Sequence, residues 1–366
     1  MTMHYGAAAL SRITRWAGLG GLALLLAACS GEEAATPASE TDAATPPAGQ
    51  EVNIYSYRQE VLIRPLLEAF TEETGIEVNL LSGSADALLE RLIQEGQNSP
   101  ADILLTADAG RLIQARKAEV LQPFESEVVQ SVVPLQYRDP ENRWVGLSVR
   151  ARTIFYARER VDPAQLSTYG ALADDMWEDR ICIRSSTNIY NQSMLAALMA
   201  HHGKEWAESW ANSMVENFAR TPQGGDRDQI KALAAGECDV AVANTYYYGR
   251  MLAEPADTDE RQAAEKVGLF WANQDSFGTH VNISGAGVTA SARNRENAIK
   301  LIEFLLSENA QRIYAQTVFE YPVRSGVEQA EIVKAWGPFK PDDLPLSTLA
   351  EYQIEAVKIF DRAGWP

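Results

Sequence analysis

Apolar and polar side chains alternate along Val52-Asn53-Ile54-Tyr55-Ser56-Tyr57, which predicts a strand with one buried face. A helical pattern follows it, with Leu62, Leu66 and Phe70 on one face and Gly75 as the stop signal. Strand and helix patterns then keep alternating over 76–81, 85–94, 101–106 and 109–118. This alternation at short spacing predicts an α/β fold with a mostly parallel sheet.

The rest of the chain continues the alternation, and its length allows two lobes. Further strands and helices are predicted over 181–183, 194–201, 204–218 and 240–242. The C-terminal end is predicted to be an amphipathic helix with Ala350, Ile354, Val357 and Phe360 on its apolar face. Because one domain takes roughly 100–200 residues, a chain of 366 residues favours two lobes. Ligands of such folds bind beyond the carboxyl ends of the strands, so side chains there are the first candidates for function.

The first fifty residues predict export and a lipid anchor. Two arginines precede a short apolar run over 22–28 that ends at Cys29, which is typical of a secretory signal. The run is shorter than the roughly 20 apolar residues of a membrane-spanning helix. Its end, Leu26-Ala27-Ala28-Cys29, resembles the bacterial lipobox, which implies cleavage of the signal peptide 1–28 and lipidation of Cys29. Residues 29–50 are rich in Ala, Thr and Pro without apolar periodicity, and they predict a flexible linker.

Composition narrows the possible partners. The sequence holds 50 Asp and Glu against 32 Lys and Arg, a formal net charge of −18. Such a chain repels nucleic acid and anionic membrane surfaces, so neither is expected as a partner. The acidic excess either serves solubility or attracts cations in a general way. With Cys29 assigned to the lipid, Cys182 and Cys238 remain, and such a pair predicts one disulfide in an oxidising compartment.

Three consecutive tyrosines follow a predicted buried strand, in Asn244-Thr245-Tyr246-Tyr247-Tyr248-Gly249. At a turn into a helix at Arg250-Met251-Leu252, two adjacent phenols can converge on one point, which neighbours in a strand cannot do. A phenol has a pKa of about 10, and a hard, highly charged cation such as ferric iron stabilises its anion directly. Aromatic packing is the competing interpretation. Tyr190, in the polar loop after the strand at 181–183, is a second candidate, again with ordinary packing as the alternative.

Arginines near predicted strand ends are candidates for binding an anion. Arg58 ends the first strand, in Tyr57-Arg58-Gln59-Glu60, and its planar guanidinium can hold a small oxyanion or form a surface ion pair. Arg150 and Arg152 can complete an anion site or line a hinge. The residues alone leave these alternatives open.

The sequence carries no recognisable catalytic motif. Its four histidines form no Ser-His-Asp or H-E-x-x-H arrangement, and it has no phosphate loop. Asp226-Arg227-Asp228 is interpreted as a structural ion-pair network and not as a catalytic pair. We therefore expect a binding protein and not an enzyme. A solute-binding protein for another small ligand, an oxyanion or a polyamine, is the alternative to iron.

Five motifs stand in order along the folded part of the chain: Tyr55-Ser56-Tyr57-Arg58-Gln59, Asn98-Ser99-Pro100-Ala101-Asp102, Pro222-Gln223-Gly224-Gly225-Asp226-Arg227-Asp228-Gln229, Asn244-Thr245-Tyr246-Tyr247-Tyr248-Gly249 and Gly278-Thr279-His280-Val281-Asn282-Ile283-Ser284-Gly285. Together they resemble the bacterial ferric-ion-binding periplasmic proteins, the transferrin-like branch of the solute-binding proteins of ABC transporters. The resemblance implies a two-lobed periplasmic-binding-protein (type II) clamshell with hinge-linked α/β domains. Lobe 1 is expected at 51–149 and 279–327, and lobe 2 at 150–278 and 328–366.

The same resemblance implies that the clamshell closes on ferric iron, Fe3+, held by tyrosines and a synergistic anion. The paired tyrosine ligands of the family fall on Tyr246 and Tyr247, and the third falls on Tyr190. Tyr248 has no ligand role by this match. The predicted disulfide would brace the two loops that carry the ligands.

One departure from the family pattern bears on the anion. Some members carry a His-Tyr pair where this chain has Gln59-Glu60, which argues against a protein ligand at these positions. It points to the subgroup that uses three tyrosines with a carbonate or bicarbonate anion, lined here by Arg58, Gln59 and Arg152. The expected partners are an ABC transporter permease and its ATPase. The protein is expected to be a periplasmic monomer, held at a membrane only by its lipid.

Overall fold

The computed structural model describes residues 50–366. The predicted signal peptide, the lipidation of Cys29 and the linker up to residue 49 lie outside these residues. The first strand starts at Glu51, directly after the predicted linker. Within 50–366, every helix is either too short or too polar to cross a bilayer.

Strands and helices alternate through the described part of the chain, which agrees with the α/β class. The strands are β1 (Glu51–Ser56), β2 (Glu77–Ser82), β3 (Ile103–Thr106), β4 (Val145–Ala157), β5 (Ile181–Cys182), β6 (Val240–Asn244), β7 (Val267–Phe270), β8 (Val281–Val288) and β9 (Tyr321–Pro322). The helices are α1 (Glu60–Thr74), α2 (Ala85–Glu95), α3 (Ala109–Lys117), α4 (Glu127–Val132), α5 (Ile189–His202), α6 (Lys204–Glu216), α7 (Asp226–Ala235), α8 (Thr245–Ala253), α9 (Asp259–Glu265), α10 (Arg295–Leu305), α11 (Glu308–Ile313), α12 (Glu331–Lys334) and α13 (Leu346–Ala363).

The main path of the sheet has the strand order β2-β1-β3-β8-β4-β6-β5. β1 runs parallel to β2 and β3, and β5 runs parallel to β6, whereas β4 and β8 run antiparallel to their neighbours. The sheet is therefore mixed, and the prediction of a mostly parallel sheet is wrong. The reason is that β4 and β8 pair antiparallel with strands that are distant in the chain, which a local pattern does not reveal.

β4 is shared between two halves of the sheet. Its residues up to Ala151 pair with β8, and those from Arg152 onward pair with β6. We refer to the part around β1, β2, β3 and β8 as the first half, and to the part around β5, β6 and β7 as the second half. One strand that serves both halves is the arrangement expected of two linked α/β lobes.

Each half of the sheet carries its own apolar core. The core of the first half includes Ile54 and Phe70, and that of the second half surrounds Trp177 and Trp210. A third, smaller core lies around Phe155. Fully burying one such side chain contributes about 1.5–3 kcal/mol, so each half is stabilised by its own packing. α13 packs against both α3 and α5 and so connects the two halves.

The predicted helix boundaries hold at α1 and shift at α5. α1 ends at Gly75, whose φ of 70° is a left-handed conformation that glycine adopts without steric cost. α5 starts at Ile189, earlier than the predicted 194, because Asn188 caps it. The side-chain oxygen of Asn188 accepts a hydrogen bond from the N–H of Tyr190 (3.1 Å). Tyr190 therefore lies in the first turn of a helix.

The predicted apolar face of the C-terminal helix is partly wrong. Ala350 and Phe360 are buried, but Ile354 is 67% exposed and Val357 is 37% exposed. A different face of the helix is buried, because the helix packs between the two halves. The buried residues recur at helical spacing: Leu346, Leu349, Ala350, Gln353, Ala356, Ile359 and Phe360.

The boundaries of the two lobes stay a prediction. The boundary placed between 149 and 150 falls inside β4. The boundary placed between 278 and 279 falls just before β8. Both therefore lie where the chain passes between the two halves of the sheet.

Candidate metal centre

Two tyrosine-bearing helices begin at the same edge of the sheet. β5 and β6 are parallel neighbours, so their carboxyl ends meet there. α8 starts at Thr245, immediately after β6, which places Tyr246 and Tyr247 in its first turn. The prediction that these tyrosines form a turn before a helix at Arg250 is therefore wrong. The first turn of a helix has free backbone N–H groups and the positive end of the helix dipole, and both favour negative charge nearby.

The three predicted tyrosines come together at this edge. The hydroxyl oxygens of Tyr190 and Tyr246 are 3.3 Å apart, and they share a hydrogen bond. The ring centroids of Tyr246 and Tyr247 are 4.1 Å apart. All three side chains line one cavity of about 100 Å³. Gln59 reaches it from the first half of the sheet, and its amide donates a hydrogen bond to the hydroxyl of Tyr247 (3.3 Å).

Tyr248 faces away from the cavity. Its hydroxyl donates a hydrogen bond to the carbonyl of Val267 (2.8 Å), and its ring packs edge-on against Phe155 with centroids 5.1 Å apart. Successive side chains on a helix point about 100° apart. The third tyrosine of the run is therefore turned into the interior of the second half, where it packs as an ordinary core residue.

Burial makes the phenols of Tyr246 and Tyr247 hard to ionise. Loss of solvation on burial is the main cause that raises the pKa of Tyr246 and of Tyr247 well above the ordinary value of 10. The neighbouring phenol of Tyr190 raises both further, because adjacent phenolates repel one another. Arg150 and Arg184 offset part of this by lowering the pKa of Tyr246 and of Tyr247, respectively. Tyr246 and Tyr247 are therefore neutral at neutral pH unless a strong positive charge lies among the oxygens.

Arg58 lines the cavity and forms a buried ion pair, not the surface pair that was its alternative interpretation. Its Nη2 is 2.7 Å from Oε1 of Glu320, and its Nη1 donates to the hydroxyl of Ser284. The other oxygen of Glu320 accepts a hydrogen bond from Ser148. Nε of Arg58 is buried without a hydrogen-bond partner among residues 50–366. One donor of this guanidinium is thus left unused.

Arg152 does not line the cavity of the three tyrosines. Its guanidinium is 2.8 Å from Asp226 and donates to the side-chain oxygen of Asn191 (2.6 Å), and all three residues are buried. It lines a smaller cavity that is separated from the first by Tyr190, which lines both. Asp226 is thus part of a structural ion-pair network, as its motif was interpreted. The anion-binding role of Arg152 stays a prediction.

Two polar residues line the cavity without a predicted role, Tyr57 and Arg184. Tyr57 follows β1, and burial is the main cause that raises its pKa. Arg184 lies in the loop between β5 and α5, with its guanidinium carbon 5.5 Å from the ring centre of Tyr190. Both positions come directly after a strand or close to its end. That position is the sequence signal that could have found them.

A disulfide joins Cys182 and Cys238, as the cysteine count predicted. Cys182 ends β5 and Cys238 precedes β6, with the two Cα atoms 5.8 Å apart. The bridge therefore ties together the two strands that lead to the tyrosine-bearing helices. Such a bridge stabilises a fold by about 2–4 kcal/mol, chiefly by restricting the unfolded chain.

Comparison with known proteins places this chain in a family. The family model for bacterial extracellular solute-binding proteins matches residues 98–341. The chain belongs to this family. "Iron uptake protein A1" of Synechocystis is 47% identical to this solute-binding protein over 341 residues, which are 93% of each chain.

Solved structures agree with that membership. A Trichodesmium protein in complex with iron and citrate is 46% identical, with a TM-score of 0.80, and the match covers 86% of this chain and 100% of that one. The apo ferric ion-binding protein A of Pasteurella haemolytica is 41% identical, with a TM-score of 0.82, and the match covers 86% and 98% of the two chains. These likenesses confirm the two-lobed type II fold and the resemblance to ferric-ion-binding periplasmic proteins.

The cavity at the edge of β5 and β6 is the candidate ligand site of this solute-binding protein. Its lining includes four tyrosines, two arginines and one glutamine. Phenols, guanidinium groups and an amide suit a small charged solute better than an apolar one. The site lies between residues of the first half and residues of the second half, which is where a two-lobed binding protein holds its ligand.

Proposed function

We propose that this solute-binding protein binds Fe3+ outside the cytoplasm and delivers it to an ABC importer. The observation that carries the proposal is the convergence of Tyr190, Tyr246 and Tyr247 on one small cavity. Phenolate oxygens are hard donors that suit a hard trivalent cation, and three of them neutralise its charge. The name of the Synechocystis relative and the iron bound to the Trichodesmium relative support the same solute.

A small synergistic anion completes the coordination of iron in this proposal. Three phenolates fill three positions, and a bidentate carbonate or bicarbonate fills two more. Arg58 and Gln59 approach from the first half of the sheet and are its proposed partners there. An anion that can be protonated or displaced lets the site weaken before any tyrosine bond breaks, which suits a protein that must release its cargo.

Iron binding closes the two lobes in this proposal. Lobe 1 comprises 51–149 and 279–327, and lobe 2 comprises 150–278 and 328–366. The tyrosines belong to lobe 2, whereas Arg58 and Gln59 belong to lobe 1, so a ligand held by both sets draws the lobes together. The strand β4 and the segment before β8 act as the hinge, because the chain crosses between the lobes there.

Export and membrane attachment belong to the same proposal. The signal peptide 1–28 is removed, and a lipid on Cys29 holds the protein at a membrane through the linker. The protein acts as a monomer in the periplasm, and an ABC permease with its ATPase receives the iron. Membership in an extracellular family supports this location.

Absorbance spectroscopy with metal analysis tests the function. Wild-type protein loaded with ferric iron should show a red tyrosinate-to-iron charge-transfer band and bind one iron per chain. The double variant Tyr246→Phe/Tyr247→Phe keeps the rings but removes two ligand oxygens, so it should lose the band and the stoichiometric iron. Tyr248→Phe is the matched control, because its hydroxyl faces Val267 and not the cavity. A double variant that keeps both colour and iron would refute the assignment.

A further inference from the structure

Arg184 keeps part of its guanidinium free beside the tyrosines. Its Nη1 donates to Asp226 (3.2 Å). Among residues 50–366, its Nη2 has no hydrogen-bond partner, and its Nε is buried without one. The side chain is 21% exposed and lines the cavity of the three tyrosines. Two N–H directions of this guanidinium are therefore available to a ligand.

The other arginines nearby offer fewer free donors to the cavity of the three tyrosines. Arg58 and Arg152 each use both Nη atoms on buried side chains. Arg150 directs Nη2 to backbone carbonyls, and its Nε and Nη1 are buried without partners among residues 50–366. It lines only the smaller cavity behind Tyr190, so these donors do not line the cavity of the three tyrosines. Arg184 is thus the cavity-lining arginine of the second half that can accept a new partner without breaking an existing contact.

We propose that Arg184, and not Arg152, binds the synergistic anion from the second half of the sheet. This inference rests on the proposed iron site. Gln59 and Arg58 lie across the cavity in the first half, so an anion held by all three residues bridges the two halves. The planar guanidinium matches a planar carbonate or carboxylate through two parallel hydrogen bonds. Asp226 on one side and the ring of Tyr190 below it hold the guanidinium in place before the anion arrives.

The cavity restricts the anion to a small one. Its volume is about 100 Å³, whereas a cavity of about 150 Å³ is the size that admits benzene. Ferric iron with one carbonate suits such a space. Citrate is much larger and fits only if the cleft stays open. The bridging arrangement therefore selects small planar oxyanions.

Iron titration with defined anions tests this inference. The proteins compared are wild type, Arg184→Gln, Arg184→Lys and the control Arg180→Gln. Arg180 lies close to Arg184 in the chain but pairs with Asp239 outside the cavity. Each protein is titrated with ferric iron in carbonate-free buffer, with bicarbonate and with citrate. The charge-transfer band and the apparent affinity against a competing chelator are recorded.

We expect bicarbonate to tighten iron binding by about tenfold or more in wild type and in Arg180→Gln, as hydrogen bonds to a charged group would allow. Arg184→Gln should lose most of the tightening of iron binding by bicarbonate. Its tyrosinate-to-iron band should remain, or should appear only at high bicarbonate concentration. Arg184→Lys should keep an intermediate gain, because an ammonium group supplies the charge without the planar fork.

Several outcomes would overturn the inference. One is a full bicarbonate response in Arg184→Gln. Another is a folded Arg184→Gln protein that binds no iron at any bicarbonate concentration. A third is tighter iron binding by wild type with citrate than with bicarbonate, which would remove the size limit. Failure of the iron site itself is distinguishable, because wild-type protein would then show no charge-transfer band at all.

Discussion

Tyr246 and Tyr247 carry phenolic protons that a bound metal must displace. Burial raises the pKa of Tyr246 and of Tyr247 well above 10, so both carry their protons in the free protein at neutral pH. Metal binding requires the phenolate forms, and protons therefore compete with the metal. Because the free-state pKa values lie above the working pH, the apparent affinity for iron rises as the pH rises and falls as the pH falls.

This competition predicts how many protons the protein releases when it binds iron, and how much each tyrosine contributes to that number. We expect Tyr246→Phe to release about one proton fewer than wild type for each iron bound at pH 7, because one phenol no longer ionises. The count comes from adding a ferric chelate to lightly buffered protein in a pH-stat. Tyr248→Phe should release the same number as wild type. Iron binding with an unchanged count in Tyr246→Phe would show that Tyr246 is not deprotonated by the metal.

Individual site residues differ in how far sequence reveals them. Tyr246 and Tyr247 are foreseeable, because consecutive phenols after a buried strand are an unusual pattern. The role of Arg184 is not foreseeable, because many arginines follow strands. The sequence pattern does not tell which guanidinium groups already form hydrogen bonds or ion pairs. Arg152 forms its ion pair with Asp226, which is 74 residues away in the chain. Only the folded structure brings these two residues together.

At the scale of helices and strands, the sequence predicts features that depend on local signals, but it does not predict pairing between distant strands. The start of α5 is marked in the sequence by Asn188, a good N-cap residue directly before an apolar run. The order of strands and helices near the N-terminus also follows from local periodicity. The antiparallel pairing of β4 with both β8 and β6 is set by distant parts of the chain, so no window of sequence contains it.

The inward face of α13 gives a stability prediction at this scale. Ile359 is fully buried in the core of the second half, whereas Ile354 is 67% exposed. Replacing Ile359 by Ala should lower the free energy of unfolding by about 2–5 kcal/mol, because it leaves a cavity. Ile354→Ala is the matched control and should change that free energy by only about 0.5 kcal/mol. Guanidinium denaturation of the metal-free proteins measures both, and equal losses would contradict the observed face of the helix.

At the scale of the whole molecule, the two halves share β4 and are joined by α13. The candidate ligands are divided between them, with phenols in the second half and Gln59 and Arg58 in the first. A metal ion bound together with its anion would therefore contact residues of both halves. The two lobes are predictable from chain length and motif order. The boundary predicted between 149 and 150 falls inside β4. That this one strand pairs with both halves emerges only from the strand pairing.

The net charge of −18 acts on the same scale. It draws cations toward the molecule without selecting among them. Selection has to come from the cavity, where the buried phenols of Tyr246 and Tyr247 are neutral until a strongly charged ion ionises them. The fold thus combines a general attraction for cations with one specific site.

A crystal structure of the iron-loaded protein, with anomalous scattering collected at the iron edge, tests the central claim most directly. We predict one strong peak in the cavity, within bonding distance of the hydroxyl oxygens of Tyr190, Tyr246 and Tyr247. A peak elsewhere, or hydroxyls of Tyr190 and Tyr246 that remain hydrogen-bonded to each other with no metal in the cavity, would contradict it.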